Sequence, residues 1–166
     1  VELQGTTGSS PAIDRKTGFE KAIAGHDNLE IVRSQTGDFT RSLGKTVMES
    51  FLKAEGGENI GALYAHNDDM AVGAIQAIKE AGLTPGQDIK IVAIDAVPDA
   101  HLAIANGEMN ATIELTPNMA GPALDALDAY LADGTMPAKW IQTESKLFTA
   151  ADDNAAIYEM KKGLGY

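Results

Sequence analysis

The chain has 166 residues, 44% hydrophobic and 22% charged, enough for one globular domain with a full core and short for two. Its 24 acidic and 13 basic residues leave a net charge of −11, and no basic stretch offsets it, which argues against nucleic acid or an anionic membrane surface as a partner. Cysteine is absent, which removes thiolate metal sites, disulfides and cysteine nucleophiles, and the longest apolar runs fall far below the ~20 residues that span a bilayer.

Val1 to Gly5 reads as a short strand. No initiating methionine and no leader-like segment precede it, so the sequence is expected to be a processed protein or an excised piece of a longer one. Ser9-Ser10-Pro11 then opens a helix that runs to about Ala24, with a hydroxyl residue as cap and proline in the first turn. Leu29 to Arg33 reads as the second strand. Residues 40–54 form the second helix, with Val47, Phe51 and Ala54 at helical spacing. Ile60 to Ala65 is the third strand. Asn67 caps a helix over Asp68 to Ala81, and Gly82 stops it. Ile89 to Ile94 is a fourth strand, apolar enough to be covered on both faces. A short helix over Pro98 to Asn106 and a fifth strand over Ala111 to Glu114 follow.

Strands and helices that alternate at this length give an α/β fold: a three-layer αβα arrangement around a parallel, flavodoxin-like sheet of order 2-1-3-4-5. The tail breaks the rhythm. Pro117 to Ala132 carries Ala120, Leu124, Leu127 and Leu131 on one stripe, an extended stretch runs from Trp140 to Phe148, and a last helix spans about Asp152 to Lys162.

Ligands of open parallel sheets bind beyond the carboxyl ends of the strands. Gly5, Thr6, Thr7, Gly8 and, one turn into the helix, Arg15 follow the first strand. Ser34, Gln35 and Asp38 follow the second, and His66, Asn67, Asp68 and Asp69 the third. Asp95 ends the fourth and Glu114 the fifth. Such an edge suits a neutral polyol: carboxylates accept from hydroxyl pairs, an arginine fork donates, an amide does both. Each residue also has a plainer use. Asn67 and Asp95 are at cap positions, and Arg15 and Glu114 fit a solvated surface.

Other chemistries find little support. Gly5-Thr6-Thr7-Gly8-Ser9-Ser10 lacks both the Gly-x-Gly-x-x-Gly spacing and a following lysine. There is no Gly-x-Ser-x-Gly elbow, and His26, His66 and His101 are scattered. His66, Asp68 and Asp69 point in different directions as near neighbours, so they read as a cap with solvated carboxylates rather than a metal site. No catalytic residue, cofactor or metal is expected.

Ala65-His66-Asn67-Asp68-Asp69-Met70-Ala71-Val72-Gly73-Ala74 resembles the Asn-Asp-x-Met-Ala-x-Gly-Ala signature of type I periplasmic sugar-binding proteins. Arg15-Lys16-Thr17-Gly18-Phe19 resembles their Arg-x-x-Gly-Phe helix, and Ile94-Asp95-Ala96 their strand-ending Phe-Asp-Gly. Val1 to Gly5, Gly37 to Arg41 and Glu114 to Pro122 look closest to the galactofuranose-binding branch. The resemblance covers the whole chain. It implies two lobes joined by three crossings, a periplasmic location, and closure on a monosaccharide that is delivered to the permease of an ABC transporter. It also implies ligand contacts at Arg15, Asn67, Asp95 and Glu114. On that pattern residues 1–114 are the carboxyl-terminal lobe, 115–144 a crossover helix and strand of the other lobe, and 145–166 the return segment and terminal helix. The amino-terminal lobe is missing, so the stripe on the crossover helix is expected to seek that lobe or a second copy of the chain. Two departures stand out: Ala96 replaces the usual glycine, and Glu114 stands where many relatives carry glutamine. The effector domain of a LacI-type repressor has the same fold and sugar site, and sequence upstream of Val1 would separate the two readings.

Overall fold

The computed structural model describes residues 1–164. The strands are β1 (Glu2–Gln4), β2 (Ser34–Thr36), β3 (Ala62–Ala65), β4 (Lys90–Asp95), β5 (Ala111–Glu114) and β6 (Leu147–Thr149). The helices are α1 (Ser10–Ile23), α2 (Arg41–Glu55), α3 (Asp68–Glu80), α4 (Pro98–Ala105), α5 (Ala120–Asp133) and α6 (Asn154–Lys162). The sheet order is β2-β1-β3-β4-β5-β6. The first five strands are parallel in the expected order, and β6 joins β5 antiparallel.

Local chemistry sets most boundaries. Ser9 caps α1 by accepting from the Ala12 amide, Thr40 caps α2 through Leu43, and Asn67 caps α3 through Met70. Gly82, at φ 79°, ends α3 in the left-handed conformation. One strand lies elsewhere than the apolar pattern suggests. Leu29–Arg33 is not a strand; pairing with β1 falls on Ser34–Thr36, in register Glu2↔Ser34. Leu29, Ile31 and Val32 instead border a hollow of about 460 Å³ with Phe19, Ile23 and Tyr64. The short polar β2 suits a sheet edge, where only one side must be paired. The extended stretch 140–148 likewise shrinks to three residues, with Phe148 opposite Thr112.

Alternation along the strands sends Leu3, Leu63, Ala65, Ile91 and Ala93 into one core with Val47, Met48 and Phe51 of α2 and Met70, Ala74 and Ile78 of α3. On the opposite face α1 lies across the sheet, where Phe19 stacks on Tyr64 with ring centroids 4.2 Å apart. Helix α1 buries only Ala12, and α5 buries no residue at all. Helices α2 and α3 pack so closely that a Cβ on Gly73 would lie 2.0 Å from the Arg41 carbonyl oxygen.

Gly73→Ala must therefore push two backbones apart, and we expect it to cost about 1–3 kcal/mol. Gly18→Ala, with nothing within 4 Å of its Cβ, should instead gain about 0.5–1 kcal/mol from helix propensity. Urea unfolding of both variants checks the pair; equal effects would contradict the packing account.

Candidate functional site

The parallel register brings the carboxyl ends of β3, β4 and β5 to one edge. Asp95 pairs with Glu114 as the last rung between β4 and β5. Arg15 reaches the same edge from α1. Its Nη1 donates to the His66 carbonyl at 2.5 Å and its Nη2 lies 3.3 Å from Asp95 Oδ1. Among the described residues Asp95 Oδ2 takes no hydrogen bond. Burial raises the Asp95 carboxyl pKa, and the Arg15 charge partly opposes this.

Asn67 is a cap, as its position suggests, and more besides. Its Oδ1 accepts from the Met70 amide at 3.1 Å, and its Nδ2 donates to the Phe39 carbonyl at 3.1 Å. One Nδ2 proton remains for another acceptor. Asp95 is not a cap: α4 follows Val97, and no side chain caps it. Glu114 Oε1 lies 3.3 Å from Lys161 Nζ, which also donates to the Ala96 carbonyl at 2.9 Å. Arg15 and Asp95 thus touch, Glu114 lies beside Asp95 on the next strand, and Asn67 follows the His66 carbonyl that Arg15 holds.

A layer beneath these residues keeps them in place. The Gly5 amide donates to His66 Nδ1 at 3.1 Å, which leaves the ring proton on Nε2, 3.1 Å from Glu2 Oε1. Burial alone would raise the Glu2 carboxyl, but hydrogen bonds with His66 and Ser34 and the Lys16 charge pull it down to about 2. Phe39 sits at φ 58°, its ring so close that a Cβ on Gly5 would lie 1.9 Å from it, and the Arg15 guanidinium lies 5.6 Å from the ring centroid. Glycine is needed at position 5 for that approach.

One reading needs correction. Asp68 is not a solvated carboxylate; it is fully buried. Thr112 Oγ1 donates to it at 2.8 Å and the Val97 amide at 3.0 Å. Asp69 is the exposed one, paired with Arg41 at 2.6 Å. Sequence reasoning also missed Thr112, Lys161 and Phe39 at this edge. The left-handed Asp38-Phe39 pair has no glycine to announce it, and Lys161 lies on a helix that reads as a surface element. Among the described residues no group of three or more acidic or histidine side chains could hold a metal ion.

Residues 1–135 match the family model described as a periplasmic binding protein domain. The chain belongs to the periplasmic binding protein family. It is 61% identical over its whole length to the galactofuranose-binding protein YtfQ of Escherichia coli (strain K12), covering 52% of that protein. It is 36% identical over 84% of its length to the ribose import binding protein RbsB of the same organism, covering 46% of it. A crystal structure of a galactofuranose binding protein superposes with a TM-score of 0.92 at 60% identity, over 99% of this chain and 56% of that one. The periplasmic binding component of the arabinose ABC transporter from Shewanella sp. ANA-3, bound to α- and β-L-arabinofuranose, gives 0.91 at 54% identity, over 99% and 54%. The chain spans about half the length of the relatives it matches, and these relatives are binding proteins rather than enzymes.

Burial holds the Asp68 carboxyl up at about 7, against an ordinary 3.8, even though Thr112 and the Val97 amide favour its charged form. The folded state of this family member therefore binds that proton more tightly than the unfolded chain. The stabilisation is full below about pH 4 and is lost as pH rises to about 7, a change on the order of 4 kcal/mol. Glu2 has the opposite sign, but its contribution is complete by about pH 4.5. Urea midpoints across this range should fall with rising pH in the parent chain and fall clearly less in Asp68→Asn, where the raised Asp95 carboxyl still contributes. Equal slopes would show that Asp68 does not titrate there.

Proposed function

We propose that the chain is the carboxyl-terminal, sugar-binding lobe of a periplasmic solute-binding protein. It takes a monosaccharide, with galactofuranose and related furanoses first among the candidates, and its full-length protein hands the sugar to an ABC transporter permease. The observation that carries this reading is the Arg15–Asp95 pair at the carboxyl edge of the sheet, 3.3 Å apart. The pair is partly exposed and leaves Asp95 Oδ2 open to a ligand hydroxyl. The remaining Asn67 Nδ2 proton and the Glu114 carboxylate add a donor and an acceptor nearby. A charge-fixed acceptor, an arginine fork and an amide match vicinal hydroxyls and a ring oxygen. Phe39 offers an apolar ring beside them. The names of the galactofuranose-binding and arabinofuranose-bound relatives support a furanose.

On this reading residues 1–114 form the lobe, 115–144 cross into the partner lobe, and 145–166 return. The half-length match to the relatives supports a second lobe that closes over the sugar. The outward stripe of α5 supports the same view: Leu124, Leu127 and Leu131 are 58%, 49% and 72% exposed. The hydroxyl–carboxylate pair near the edge, Thr112 with Asp68, is fully buried, and the reading includes no turnover, no cofactor and no metal. Relatives named as sugar-binding proteins and components of ABC transporters support this reading, and none of them favours the repressor alternative.

Asp95→Ala in the full-length protein should weaken sugar binding. A charge-assisted hydrogen bond is worth about 1.5–3 kcal/mol, so each bond lost lowers affinity roughly tenfold to a hundredfold or more. Calorimetry with L-arabinose and D-galactose, each in its equilibrium mixture of ring forms, reads this, and unchanged affinity would remove Asp95 from the site. A second outcome concerns α5. Each leucine left in water forgoes about 1.5–3 kcal/mol, so the chain alone should self-associate. Sedimentation showing a monomer at high concentration would contradict an interface on that stripe.

A further inference from the structure

The turn that follows β4 is strained. Asp95 has φ 127° and Ala96 φ 60°, two successive non-glycine residues on the positive side. Such a conformation is unfavourable for a residue with a side chain and persists only where its surroundings fix it. Three hydrogen bonds to three different elements do so here, and a fourth ties two of those elements together. The Ala96 amide donates to Thr112 Oγ1 at 3.1 Å, and the Val97 amide donates to Asp68 Oδ2 at 3.0 Å. Thr112 Oγ1 donates in turn to Asp68 Oδ1 at 2.8 Å, and Lys161 Nζ donates to the Ala96 carbonyl at 2.9 Å. Thr112 is the joint of this arrangement. Its one hydroxyl accepts from the strained turn and passes its own proton to the buried carboxylate, so it links β5, α3 and the residue after Asp95 in one chain of bonds.

We infer that Thr112 is a positioning residue for ligand binding: through Asp68 it locks the Asp95-Ala96 turn in the conformation that aims the Asp95 carboxylate at the edge. The inference rests on the sugar-binding reading above. Thr112 is fully buried, and its hydroxyl bonds to Ala96 and Asp68, with no hydrogen bond to Arg15 or Asp95 among the described residues. Its effect on a ligand must therefore pass through the turn. Valine has threonine's shape and lacks its hydroxyl, so Thr112→Val keeps the packing and removes the joint, whereas Thr112→Ser keeps the joint.

The test uses the full-length protein and two readouts. Thr112→Val should lower affinity for L-arabinose or D-galactose at least about tenfold, at a temperature well below its unfolding midpoint. Thr112→Ser should stay within about threefold of the parent. Val47→Ala, in the core and away from the edge, serves as a control for lost stability and should leave affinity unchanged. Independently of any sugar, hydrogen exchange should show the Ala96 and Val97 amides deprotected in Thr112→Val, with Ala93 still protected. Parent-like affinity in Thr112→Val overturns the inference, and so does a loss in Thr112→Val that is equalled in Val47→Ala. If the parent itself binds neither sugar, it is the sugar-binding reading that fails for these probes. The amide exchange then still decides whether Thr112 holds the turn, and unchanged protection overturns it.

Discussion

A buried carboxylate with no cation against it needs every available proton donor, and Asp68 gathers three parts of the fold around itself for that reason. Its desolvation is offset by the Thr112 hydroxyl and the Val97 amide, which come from β5 and from the start of α4. Helix α3 can place Asp68 there only because its own first turn is fixed by the Asn67 cap and its flank is pressed against α2 at Gly73. The position of Asp95 thus depends on helix packing well behind it. Loss of any member leaves a buried polar group without a partner, which is dearer than the bond itself.

The second support is the stack under Arg15. Glu2, His66 and Gly5 form a hydrogen-bonded row at the ends of β1 and β3, and Phe39 closes over Gly5. The guanidinium rests on this row through the His66 carbonyl and on the Phe39 ring. Arg15 comes from α1, which buries only Ala12 of its own residues. Its hold on the sheet therefore includes the contacts that Arg15, Lys16 and Phe19 make, and a side chain of the candidate site doubles as an anchor of the fold.

Much of this was legible in the sequence. Periodicity placed each of the six α-helices to within three residues, and the caps at Ser9 and Asn67 and the stop at Gly82 are local signals. The strand-end rule put Asn67, Asp95 and Glu114 on one edge, since they follow or end parallel strands, and Arg15 reaches that edge from the helix after β1. What escaped was set by distant parts of the chain. Leu29–Arg33 reads as a strand by composition, yet register with β1 falls on the polar triplet after it. Asp68 and Asp69 look alike in sequence, and only the approach of β5 and α4 decides that one is buried and the other solvated. Lys161 meets Ala96 across a separation of 65 residues, which no local pattern encodes.

Ala96 stands where the resembled family carries glycine, and it holds φ 60° while 99% hidden from solvent, at 1% exposure. Glycine would relieve the native strain but would widen the set of conformations open to the unfolded turn. Alanine narrows that set in both states. The loop then has few shapes to sample before a ligand arrives, so little entropy is left to lose on contact. A turn built this way is set before anything arrives at the edge, and it gives up the pliancy that would let a looser one reshape itself around what it meets.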